Sequence, residues 1–123
     1  MKNKIFTISL ICFSILSYAQ QLNWTGNVGD NDFFNEQNWV NTATDQTPSS
    51  GTIDAGVNID FDLQIQNYTE TIVANGSIDL GSGSLSLTST NLFAESVSGG
   101  NIELNNEGYL DLSSEPFSKQ CNY

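Results

Sequence analysis

The chain has 123 residues, with three Lys and Arg against 14 Asp and Glu, no His, and a formal net charge of −11 at pH 7. All three cations are lysines, and the two cysteines, Cys12 and Cys121, lie near opposite ends of the chain. This composition excludes Ser-His-Asp and Cys-His nucleophiles and a His-based zinc site. It also excludes the clustered cations that hold a phosphate backbone or an anionic lipid surface, so nucleic acid is not an expected partner.

Residues 1–19 read as a signal peptide for the Sec pathway. Lys2 and Lys4 precede an apolar run from Ile5 to Leu16, and Ser17-Tyr18-Ala19 supplies the small residues of a cleavage site. The run is shorter than the roughly 20 residues of a membrane span, so no membrane insertion is expected. Cys12 follows Ile11 inside the run, without the small preceding residue that lipidation requires. Cleavage after Ala19 leaves 104 residues, enough for one domain with a modest core, and places it outside the cell or on its surface, with the periplasm as the alternative. That chain keeps Lys119 against 14 carboxylates, a net charge of −13, and Cys121 as its only thiol. An internal disulfide is then excluded, and the fold rests on packing.

Residues 20–50 are dense in aromatics, with Trp24, Phe33, Phe34 and Trp39 close together. They are expected to form an N-terminal cap with both tryptophans buried, because aromatics this close together usually pack on one another. The alternative is a sugar platform, with Trp24 and Trp39 stacking on a pyranose while Asp30 and Asp32 bind hydroxyls. Asp30, Asp32 and Glu36 in "GDNDFFNE" are the candidate ligands for Ca²⁺. Phe34 occupies the position where a calcium loop wants its third oxygen, so no cofactor is expected and Ca²⁺ is kept as the alternative.

Residues 51–112 alternate apolar with polar: Val57 to Ile65, Ile78-Asp-Leu80, Leu85-Ser-Leu87, Ile102-Glu-Leu104 and Leu110-Asp-Leu112. A period of two over short runs joined by Gly, Ser and Asn predicts half-buried strands in an all-β fold. "TIVA" at Thr71 to Ala74 and "LFAESV" at Leu92 to Val97 are further strands. "GSIDLGSGSLSL" from Gly76 returns as "GNIELNNEGYLDL" from Gly100, and "GTIDAGVNIDF" from Gly51 has the same outline, a step of 24 to 25 residues. Such a repeat predicts a β-solenoid of about three coils, three strands to a coil, with Ile53, Ile78 and Ile102 stacked inside. The rival is an antiparallel β-sandwich, which also suits strands at this spacing. Asp60 and Asp62 share the outward face of a strand, a solvated position rather than a glycosidase pair, and "GSGS" at Gly81 is a turn.

The pattern Trp24-Thr-Gly26, Gly29-Asp30 and Asn38-Trp39, followed by a Pro and a β-repeat, resembles the N-terminal module of large secreted bacterial proteins that continue into a right-handed parallel β-helix. The resemblance covers residues 22 to about 112. It implies cargo similar to that of type IX secretion, acting as adhesins or polysaccharide-handling proteins. Proteins of that kind end in a sorting domain. Here residues 113–123, "SSEPFSKQCNY", form an irregular tail too short for one, so a truncated or longer natural protein is expected.

The function expected from these residues is a non-catalytic structural or adhesive module of a larger surface protein. Lyase chemistry wants Arg, Lys or His, and Lys119 alone remains. The alternative is a carbohydrate-binding module or a fragment of a carboxylate-based polysaccharide-degrading enzyme. Expected partners are a neutral polysaccharide or a cell-surface protein. The last strand would also leave an unpaired edge suited to edge-to-edge self-association.

Overall fold

The computed structural model describes residues 20–112. The expected signal peptide at 1–19 and the tail at 113–123, with Lys119 and Cys121, lie outside the described residues. The described residues form eight strands and one 3₁₀ turn: β1 (Gln21–Trp24), the turn Glu36–Asn38, β2 (Trp39–Asn41), β3 (Asp62–Gln66), β4 (Ile72–Asp79), β5 (Ser84–Thr88), β6 (Asn91–Ser98), β7 (Asn101–Asn105) and β8 (Tyr109–Leu112). The fold is all-β, and no helix among the described residues is long and apolar enough to cross a membrane.

The strands divide between a five-stranded sheet in the order β2-β1-β3-β5-β7 and a three-stranded sheet in the order β4-β6-β8. From β3 onward the chain enters the two sheets in turn, so each connection carries the backbone from one to the other. β1 pairs with β2 antiparallel, and all other neighbours pair parallel. In the larger sheet Leu22, Leu63, Leu85 and Ile102 lie in one column across the strands, and Ile65, Leu87 and Leu104 in another. In the smaller sheet Ile72, Leu92 and Leu110 align, as do Ala74, Ala94 and Leu112. Alternation turns these columns inward. Leu22, Leu63, Ile65, Leu85, Leu87, Ile72, Ala74, Leu92 and Ala94 are buried, and Phe33 and Trp39 join the same core.

The register corrects the expected repeat. Leu63 aligns with Leu85, 22 residues on, and Leu85 with Ile102, 17 on. Ile72 aligns with Leu92, 20 on, and Leu92 with Leu110, 18 on. The step is shorter than 24 to 25, it varies, and each passage contributes two strands rather than three. Ile78 pairs with Val97 in the smaller sheet, whereas Ile102 pairs with Leu85 in the larger one. Ile53 is buried in the loop before β3, so the three isoleucines do not stack. The two similar stretches are offset by one strand. Every strand here carries the same in-and-out pattern, so likeness of sequence cannot distinguish the next strand from the one a full passage away. The parallel ladders also differ from those of an antiparallel sandwich, and the antiparallel β1–β2 pair makes the larger sheet mixed.

Candidate functional site

The N-terminal segment covers one edge of both sheets. β1 pairs with β3, and β2 lies outside β1. On the smaller sheet, Phe33 N donates to Val73 O at 2.9 Å and Val73 N to Asn31 O at 2.8 Å, so residues 31–33 lie along the free side of β4. The turn Glu36–Asn38 is capped by Asn35, whose Oδ1 accepts from Gln37 N at 3.0 Å. This turn delivers Trp39 into the core.

Trp39 is 1% exposed. Its Nε1 donates to Phe33 O at 2.8 Å, and its ring meets Phe33 and Trp24 edge to face at 5.2 and 5.3 Å. No face of this indole is open for a sugar. Trp24 is half-buried, edge-on to Tyr68 at 5.5 Å. Its buried Nε1 has no hydrogen-bond partner and lies beside the Tyr68 ring under Gly26. Trp39 therefore serves packing, whereas Trp24 packs on it and keeps part of its surface at the groove of Asn23, Gln64 and Gln66.

The acidic candidates are committed to N–H donors. Asp30 Oδ1 accepts from Asn38 Nδ2 at 2.6 Å and Asp32 N at 3.0 Å, and its Oδ2 accepts from Asn35 Nδ2 at 2.8 Å. These bonds, led by that from Asn35, hold the Asp30 carboxyl below its ordinary value. Asp32 Oδ1 accepts from Phe34 N, and Glu36 Oε2 from Gly51 N. Among the described residues no three Asp, Glu, Cys or His side chains gather as a metal-binding group. Asp60 accepts from Ser82 N at 2.8 Å and Asp62 from Ser84 Oγ at 2.9 Å. Asp62 thus links β3 to β5, whereas Asp60, with a φ of 57°, lies in the loop before β3 rather than on the strand with Asp62, and ties that loop to the turn before β5.

Two residues central to this region had little sequence signal. Asn38 is fully buried; its Nδ2 also donates to Asp32 O, and its Oδ1 accepts from Val28 N, which ties the 25–32 loop to the turn. Tyr68, far along the chain, closes the aromatic cluster and donates its hydroxyl to Asn31 Oδ1. Burial and the nearby Glu70 and Asp30 carboxylates push its phenol up. Asn38 was marked only as the residue before Trp39 in the resemblance pattern, with nothing to show its burial, and Tyr68 is brought to the cluster only by tertiary packing.

Three surface features among the described residues are open to a partner. The first is the far edge, where β7 and β8 have no outer neighbour among the described residues. There the inward positions Ile102, Leu104 and Leu112 are 42%, 51% and 52% exposed, whereas their register partners Leu85, Leu87 and Ala94 are 0% exposed. The second is a cleft of about 310 Å³ where the 44–49 loop and Thr52 face Gln20, Asn41 and Phe61. A shallower groove of about 180 Å³ lies at Asn23, Trp24, Gln64 and Gln66 on the larger sheet. No family model, no curated protein and no solved structure matches the chain.

Proposed function

We propose that the chain is a non-catalytic scaffold: the capped first coils of a right-handed parallel β-solenoid, secreted and displayed as a structural or adhesive module of a longer surface protein. The observation that carries this reading is the difference between the two edges. The aromatic segment covers the β3 and β4 side, while β7 and β8 present apolar side chains that every preceding strand buries. Stacked coils need a polar terminal cap, and an uncapped end is normally covered by more of the same. Parallel strands that alternate between two sheets suit coils that shorten from about 22 to 17 residues in the larger sheet. Right-handedness is what crossover connections between parallel strands adopt. With no His, Lys or Arg in residues 20–112, a catalytic role has little to work with.

The test compares two leucines of one column in the full-length natural protein. Leu87→Ala should cost about 2 to 5 kcal/mol, the ordinary price of a buried leucine. If further coils cover the far edge, Leu104→Ala costs a comparable amount. A loss below about 0.5 kcal/mol, that of a surface substitution, would mean that Leu104 faces water, and the scaffold reading would fall.

A further inference from the structure

We propose that the cleft at Gln20, Asn41, Gln46, Thr52 and Phe61 binds a neutral sugar residue or a short neutral oligosaccharide. The inference does not depend on the scaffold reading, since the cleft lies between the N-terminal segment and the start of β3, away from the β7 and β8 edge. It also places the sugar site apart from Trp39, which is buried in the core cluster, and from Trp24, which is packed against that cluster.

The chemistry of the lining decides the ligand class. Residues 20–112 carry carboxylates and no cation, yet no ionisable side chain lines this cleft. Its polar groups are amides and hydroxyls, from Gln20, Asn41 and Gln46 and from the Thr and Ser of the 44–52 segment. Such groups both donate and accept, as sugar hydroxyls do. A uronate or sulfated glycan would enter a negative field without a cation to meet it. A metal ion or organic cation would find no carboxylate in the lining. Phe61, half-buried against the core, and Pro48 supply the apolar surface on which the C–H face of a pyranose can rest. The volume stands at the lower end of the roughly 300 to 1,000 Å³ of ligand sites, which suits one or two sugar rings rather than a long chain.

The floor is pre-formed and the rim is free. Asn41 is buried; its Nδ2 donates to Gln20 Oε1 at 3.0 Å and its Oδ1 accepts from Ala43 N at 2.9 Å. Asn41 N donates to Gln46 O at 2.8 Å, and Asp45 N to Asn41 O at 2.7 Å, which closes the loop over β2. Asp62 N donates to Gln20 O at 2.8 Å and anchors the other wall to β3. These bonds are made before any ligand arrives, so less ordering accompanies binding.

Calorimetric and NMR titration of the purified protein with glucose, mannose and xylose hexaoses, and with a galacturonate hexaose as the anionic counterpart, tests the proposal. At least one neutral oligosaccharide should bind and shift the amide signals of Thr47, Ser49 and Phe61. The rim variant Gln46→Ala/Thr52→Val, at an exposed and a half-buried position, should weaken that binding about tenfold or more while the melting temperature holds. Thr47→Val supplies a second variant, with a smaller loss. Asn23→Ala/Gln64→Ala, in the shallower groove, should leave affinity within about twofold. The proposal is overturned if no neutral oligosaccharide binds at ~10 mM. It is equally overturned if binding survives the rim variants, follows Asn23 and Gln64 instead, or favours the galacturonate.

Discussion

Trp39 shows how one side chain holds the N-terminal segment in place. Its ring fills the space between Phe33 and Trp24, and its indole N–H satisfies the Phe33 carbonyl. Trp39→Ala should cost about 3 to 5 kcal/mol by denaturant titration, a large share of the stability of a domain this size. Asp30 acts through its ionised form. Because the folded state lowers its pKa from 3.8, its contribution is present above that value and is lost as pH falls through the lower folded value. Asp30→Asn should therefore flatten the acid limb of stability below about pH 4. Melting curves from pH 5 downward check this, and identical limbs for the two proteins would assign the acid response to other carboxylates.

At the level of elements, the corners between the sheets need close approach of backbone to backbone. Gly83 is buried just before β5, and a Cβ there would fall on the Phe61 carbonyl of the coil beneath. Its φ is not among the positive angles, so the requirement is steric. Gly56, by contrast, has a φ of 78° with nothing within 4 Å of an added Cβ. Gly56→Ala should cost only the roughly 1 to 2 kcal/mol of a left-handed alanine. Gly83→Ala should cost about 3 kcal/mol or more, because backbone cannot turn aside as a side chain does. Denaturant midpoints of the two variants decide the matter, and equal losses would mean that the corner is looser than the packing indicates.

Across the whole molecule, charge works in one direction only. Residues 20–112 hold carboxylates and no Lys, Arg or His, so no ion pair between side chains forms within them and their mutual electrostatics is repulsive. Screening should then stabilise the fold. Raising salt from ~10 mM to ~500 mM shortens the Debye length from about 30 Å to about 4 Å, and the melting temperature should rise by several degrees. A fall would show that attraction between opposite charges contributes more than this distribution allows. The same one-sided charge opposes close approach of two copies, so edge-to-edge association through β7 and β8 should also strengthen with salt.

The sequence by itself marked β3 to β8 and which way their apolar residues face, whereas Val57 to Phe61 alternate in the same way yet lie outside the strands, and β1 and β2 had no such mark. Leu85-Ser-Leu87 and Leu63-Gln-Ile65 sit as their alternation requires, with leucine and isoleucine inside, because a pleat places neighbouring side chains on opposite faces whatever the partner strand is. It also carried the grouping of Trp24, Phe33 and Trp39, since aromatics this near one another in the chain collapse together. It did not determine register. Ile78 and Ile102 belong to equally alternating strands, and only the lengths of the connecting turns decide that one lies in the smaller sheet and the other in the larger. Ile59 alternates correctly and is buried, yet it lies outside β3, where its backbone N donates to Asp79 O from a loop. The cleft was not legible either. Gln20, Asn41 and Thr52 are unremarkable polar residues in separate segments, and they become one wall only when the 44–52 segment folds back against β2 and the start of β3. Periodicity is a local property that the pleat enforces residue by residue, whereas register and surface shape are sums over distant pairs, decided by which packing buries the most apolar surface with every backbone group bonded.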